Sequence, residues 1–194
     1  MTHYPGFTPS GRTFSEYDDP PDEISSAIGR VVLSFSELED DVSSMIRGLL
    51  DIDFERGQIV TAELPFKTKV NLMSSLQKIQ FREDFKDHDM SQAEEMLKEI
   101  VASCLKAEEL RNQIVHSSYR GVFRRGRATR QKTTAKASAG LRIQKVPVDS
   151  GYLLDVSEFI LDVMGYFDDF EQYLFRIESG FNDCNPEDAP IRLL

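Results

Sequence analysis

Between Ile24 and Leu49 the chain places Ile24, Ile28, Val31, Val32, Phe35, Leu38, Val42, Met45, Ile46 and Leu49 at three- and four-residue steps. A stripe of that length commits the segment to one long amphipathic helix, because a strand would alternate every second residue. Glu37, Glu39, Asp40 and Asp41 fall largely off the stripe and mark the wet face. At 1.5 Å per residue such a helix is roughly 40 Å long, so it needs other long helices to cover its apolar side.

The rest of the chain supplies them. A short helical piece is expected over residues 55–62, and Pro65 opens a third helix through Phe66, Val70, Met73, Leu76 and Ile79. A charged linker, residues 82–89, ends it. Ser91 with Glu94 reads as a capping box that starts a fourth helix. Beyond Tyr119 the pattern turns short and extended: residues 119–124 and 141–148 are expected to pair as two strands around a loose tip rich in Gly, Ala, Thr and Lys. Asp155 with Glu158 caps a last helix through Val156, Phe159, Ile160, Val163, Met164, Phe167, Phe170, Tyr173, Leu174 and Ile177. The expected fold is all-α, an up-and-down bundle of four to five helices with a small β-hairpin insertion, residues 119–148, before the last helix. Residues 22–179 form that domain. Residues 1–21, punctuated by Pro5, Pro9, Pro20 and Pro21, read as a flexible leader or an arm lying on another subunit, and residues 180–194 as a tail.

No apolar run is long enough to span a bilayer, and no charged-then-apolar N-terminal signal is present. Cys104 and Cys184 lack the spacing of a metal knuckle or a redox pair, so a soluble, unexported protein of a reducing cytosol is expected. No cofactor or metal is expected, because the sequence has no Gly-rich phosphate loop, Cys/His cluster or nucleophile elbow.

Net charge is −10, which on its own argues against a nucleic-acid partner. Its distribution argues the reverse. Arg120, Arg124, Arg125, Arg127, Arg130, Lys132, Lys136, Arg142 and Lys145 fall in one window without a single acid. Nine of the 23 basic residues lie there, leaving 14 against 33 acids elsewhere, a balance of −19. One basic arm on an acidic body is the footprint of local contact with phosphate, and Arg120, Arg124, Arg125, Arg127, Arg130 and Lys132 are the candidate RNA-binding residues. The plainer alternative is a solvated hairpin.

The fourth helix interrupts its own apolar stripe. Leu97, Ile100, Val101, Cys104 and Leu105 lead to Glu108, then Arg111 with Asn112 beside it, before Val115 returns and His116 follows. Burying such groups costs several kcal/mol unless they are paired or face a wet cleft. One reading is structural, with Glu108 and Arg111 as an i, i+3 ion pair and His116 ending the helix. The other is a polar site on a rigid helix. Imidazole moves protons near neutral pH and guanidinium presents a planar fork that matches phosphate.

Arg111-Asn112-Gln113-Ile114-Val115-His116 resembles the Arg-Asn-x-x-x-His signature of the HEPN superfamily, and the order of elements is similar over most of residues 22–179. The resemblance implies a metal-independent endoribonuclease of toxin or phage-defence type. Its cleft would form where two copies of the fourth helix face each other, hence a homodimer. His116 would move the proton of an RNA 2′-hydroxyl, Arg111 would stabilise charge on phosphorus, and Asn112 would orient the imidazole or the phosphate. Glu108 would hold Arg111, with Ser117 and Tyr119 supporting. Many HEPN toxins carry a Tyr two residues after the His, the target of an antitoxin; here Ser118 holds that position and Tyr119 comes one later. A regulatory partner is therefore not identifiable from the motif. The alternative within the same resemblance is a non-catalytic module that binds RNA, a nucleotide or a protein.

Overall fold

The computed structural model describes residues 23–120, 127–136 and 140–179. Five helices, α1 (Glu23–Leu49), α2 (Phe54–Thr61), α3 (Phe66–Glu83), α4 (Ser91–Val115) and α5 (Ser150–Glu178), carry the bundle, and β1 (Ser118–Arg120), β2 (Arg127–Lys136) and β3 (Gly140–Asp149) form a sheet between α4 and α5. The expected leader and tail fall outside the described residues. α1 lies along α5 and α3, and α4 closes the ring against α3, α5 and α1. None of the described helices is long and apolar enough to cross a membrane.

The apolar stripes meet as their spacing demands. Val31, Phe35, Leu38, Val42 and Ile46 of α1 are buried with Val156, Ile160, Val163, Phe167 and Phe170 of α5. Aromatic pairs add directional contacts: Phe35 meets Phe66 with ring centroids 4.7 Å apart, and Phe81 meets Phe170 edge-on at 6.3 Å. Two polar pairs join neighbouring helices of the bundle. Tyr166 donates to Glu99 Oε2 at 2.6 Å, and Lys69 Nζ binds Glu39 Oε1 at 2.8 Å.

Ser34 of α1 and Ser157 of α5 share a buried hydroxyl hydrogen bond of 2.9 Å. An orphaned buried hydroxyl costs about 1–3 kcal/mol, whereas removing both members is close to neutral. Ser34→Ala alone should therefore destabilise more than the Ser34→Ala/Ser157→Ala double change, which denaturant titration of the three variants will show.

Two expected helix starts are corrected. The Ser91/Glu94 capping box does not form; Met90 is the cap residue, and Asp89 Oδ1 accepts the Ser91 N–H at 3.0 Å instead. That backbone hydrogen bond holds the exposed Asp89 carboxyl below its ordinary value. The last helix starts at Ser150, ahead of the expected cap at Asp155, because Asp149 Oδ1 accepts the Tyr152 N–H at 2.8 Å and starts the turn.

The insertion lies where expected and contains a strand more. Residues 127–136, read as loose tip, are the central strand: β1 and β3 both pair with β2, antiparallel, in the order β1-β2-β3. The segment alternates, but with unusual residues. Ala128 and Arg130 are buried while Thr133 is exposed, so a guanidinium stands at an inward position where a hydrophobic residue would announce a strand.

Candidate functional site

Along α4 the buried positions are Ala93, Leu97, Ile100, Cys104, Ala107 and Ile114, with Met96 beside them. Their steps alternate four and three, a seam that repeats every 3.5 residues. The position that continues the alternation between Ala107 and Ile114 is Arg111. A strict 100° rotation per residue puts Glu108 and Val115 on the stripe; the 3.5-residue seam takes Ala107 and Ile114 instead. Glu108 is thus displaced from the core, and the expected Glu108–Arg111 ion pair is absent among the described residues.

What holds Arg111 is an aromatic ring and an amide. Its guanidinium carbon lies 5.3 Å from the centre of the Phe35 ring of α1, and Nη1 donates to Asn112 Oδ1 at 2.9 Å. Its Nε is sealed from solvent and meets no acceptor. The result is a half-buried cation, fixed in position, with no carboxylate paired to it among the described residues. Phe35 was predicted as core; its service under a guanidinium was not legible from α1 alone.

His116 ends α4 as the C-cap residue and is exposed. Its N–H donates to Asn112 O at 3.2 Å, so Asn112 touches Arg111 through its side chain and His116 through its backbone. Ser117 and Tyr119 are spent on the helix end. Ser117 Oγ donates to Gln113 O at 2.6 Å, and Tyr119 Oη donates to Ile114 O at 2.9 Å. Burial raises the Tyr119 phenol above its ordinary value, against a smaller opposing pull from Arg130. These two residues satisfy carbonyls that a helix terminus leaves open.

The basic insertion reaches this helix end. Arg130 of β2, 8% exposed, points its Nη1 and Nη2 at Gln113 Oε1 at 3.5 and 3.4 Å. Lys132 stands two residues on. For Arg120 and Arg127 the structure describes the backbone, in β1 and β2, and Arg124 and Arg125 lie outside the described residues. Gln113 and Tyr152 belong to the surroundings of the basic face and were not foreseen, while Arg142 was placed in the basic window but not among the candidate RNA-binding residues; the alternation of residues 127–136 was the signal that would have located them.

Elsewhere the chemistry is quiet or structural. Burial pushes the Cys104 thiol up to about 12, which leaves it protonated and inert. Among the described residues no group of three or more His, Cys, Asp or Glu is arranged to hold a metal. A cavity of about 440 Å³ between α1, α3 and α5 is lined by Asp41, Asp168 and Glu171. Burial, then the facing carboxylates, raises both Asp41 and Glu171. A raised carboxyl binds more protons folded than unfolded, so stability falls as pH rises through the folded value. Asp168→Asn should accordingly stabilise the protein at pH 7 by less than about 1 kcal/mol, screened at high salt. Thermal melts at pH 5 and pH 7 should show the gain shrinking at the lower pH.

No protein-family model, curated protein or solved structure matches this chain.

Proposed function

We propose that the protein is a metal-independent endoribonuclease of HEPN type that cuts single-stranded RNA in the cytoplasm, working as a homodimer. The observation that carries the reading is Arg111: a seam-position cation held by Phe35 and Asn112 with no carboxylate spent on it among the described residues. A structural arginine at such a place is normally paired, whereas an unpaired one is ready for an anion. The exposed His116 on the same rigid helix supplies the proton carrier.

His116 takes the proton of the 2′-hydroxyl as its oxygen bonds to phosphorus. Arg111 offsets the charge that accumulates on the phosphoryl oxygens. The imidazolium returns that proton to the 5′-oxygen as its bond to phosphorus breaks, giving a 2′,3′-cyclic phosphate and a 5′-hydroxyl end. Residues five apart on a helix point about 140° from each other with a rise of about 7.5 Å. That angle separates Arg111 from His116 on one phosphate and favours a composite cleft, with the equivalent histidine of a second copy completing it.

The test is direct. Purified full-length protein with excess chelator should cleave unstructured RNA and leave cyclic-phosphate ends. Absence of cleavage in chelator with recovery on adding a divalent cation would sink the mechanism. The same 140° divergence favours a second reading, a binding module that never cuts, and intact RNA under all conditions would support it.

A further inference from the structure

Two cavities share a wall in the sheet. One, about 700 Å³, is lined by Gln113 of α4 with Arg130, Lys132, Arg142, Ile143 and Gln144. The other, about 530 Å³, is lined by Ala128, Val146, Pro147, Val148, Asp149 and Tyr152, again with Arg130. The first is cationic; the second is mostly apolar, with one aromatic ring and the Asp149 carboxylate that caps α5. Arg130 belongs to both.

The strand register builds this arrangement. Arg130 stands opposite Val146, Lys132 opposite Gln144, and Arg142 opposite Thr134. Directly opposed residues of an antiparallel pair share a face, so Arg130, Lys132 and Arg142 issue from the side that Ala128 and Val148 bury against the helices. Close by, that face is core; further along, it becomes a row of cations.

None of the three cations forms an ion pair among the described residues. The contacts from Arg130 to Gln113 are long for a charged donor. Nearby carboxylates are already engaged. Glu109 accepts from Lys106 at 3.0 Å and from Gln113 at 2.8 Å, and its carboxyl is held below its ordinary value first by Lys106, with Lys132 contributing least. Asp149 is occupied in capping α5. Three like charges converging on a cavity, one of them nine-tenths buried, repel one another until an anion enters.

We propose that the paired cavities grip one nucleotide of a single-stranded RNA, its phosphate across Arg130, Lys132 and Arg142 and its base against the Tyr152 ring. Tyr152 is partly exposed, as a stacking platform must be. The choice of RNA rests on the nuclease reading; the grip itself does not, because it uses neither Arg111 nor His116.

The full chain carrying His116→Ala, which leaves the strand uncut, is titrated with a fluorescein-labelled ten-residue polyuridylate and separately with uridine 5′-monophosphate. Adding Lys132→Gln and Arg142→Gln should weaken oligonucleotide binding at least tenfold. Loss of neutralisation at that one phosphate should also reduce the slope of log affinity against log salt by about 0.7. Tyr152→Ala should weaken binding severalfold with Tyr152→Phe close to the parent, at matched thermal midpoints. Unchanged affinity and slope in the charge variant would overturn the site. Equal sensitivity of the mononucleotide would overturn the strand assignment in favour of a free nucleotide. Binding that depends on these residues in a wild-type chain that cuts nothing keeps this site and removes the nuclease. Cleavage with unaltered binding does the reverse.

Discussion

His116→Ala is expected to lower RNA cleavage by about 10²–10⁴-fold, the range a positioned general acid or base contributes. The fold should be indifferent to the change, since His116 is exposed at the end of α4 and surface substitutions stay within about 0.5 kcal/mol. Arg111 needs a subtler replacement, because alanine would also strip packing from Phe35. Arg111→Met keeps an unbranched stem on the ring and removes the charge, so it should fold and fail to cut. Arg111→Lys keeps the charge without the planar fork and should recover little. Mixing the His116→Ala and Arg111→Met proteins then tests the composite cleft. A mixed dimer holds one site with both groups intact, and activity should return in the mixture. Two inactive proteins that stay inactive together, with subunit exchange demonstrated by mass, would remove the two-copy cleft.

Phe170→Ala should have the largest effect on stability, about 3–5 kcal/mol. Phe170 is fully buried on α5 and meets the edge of Phe81 from α3, so its loss opens a void between two of the four long helices. For a chain of this size that corresponds to a fall of roughly 6–20 °C in Tm. Phe175, five residues later on the same helix and 68% exposed, supplies the control: Phe175→Ala should move Tm by about 2 °C or less. A similar fall in both variants would mean that α5 packs by a different face.

The two predictions draw on very different legibility. The stripes of α1 and α5 state their period over many turns, so Leu38, Val42, Ile160 and Phe170 could be assigned to the core before any coordinates. On α4 the same reasoning drifted by one residue near its end. A period of 3.6 and one of 3.5 part by about 20° per heptad, and after two heptads that decides between Glu108 and Ala107. The break in the stripe was legible; its partner was not. Phe35 stands three helices before Arg111 in the chain, and only packing brings them together. The strand β2 was hidden for another reason. Its inward residues are Ala128 and Arg130, and a buried arginine reads as loop when its neighbours in space are unknown.

The sheet also leaves edges where another extended chain could add. β1 covers β2 only at Thr129, Arg130 and Gln131, and the outer side of β3 has no strand beside it among the described residues. Such bare edges solicit any extended chain that can complete their hydrogen bonds. Along β3, Arg142 and Lys145 confront an identical ribbon with like charge, and Pro147 withholds a donor from it. Ribbon-to-ribbon stacking into fibres is thereby discouraged in dilute buffer and eased by concentrated salt, which screens the repulsion between the facing cations.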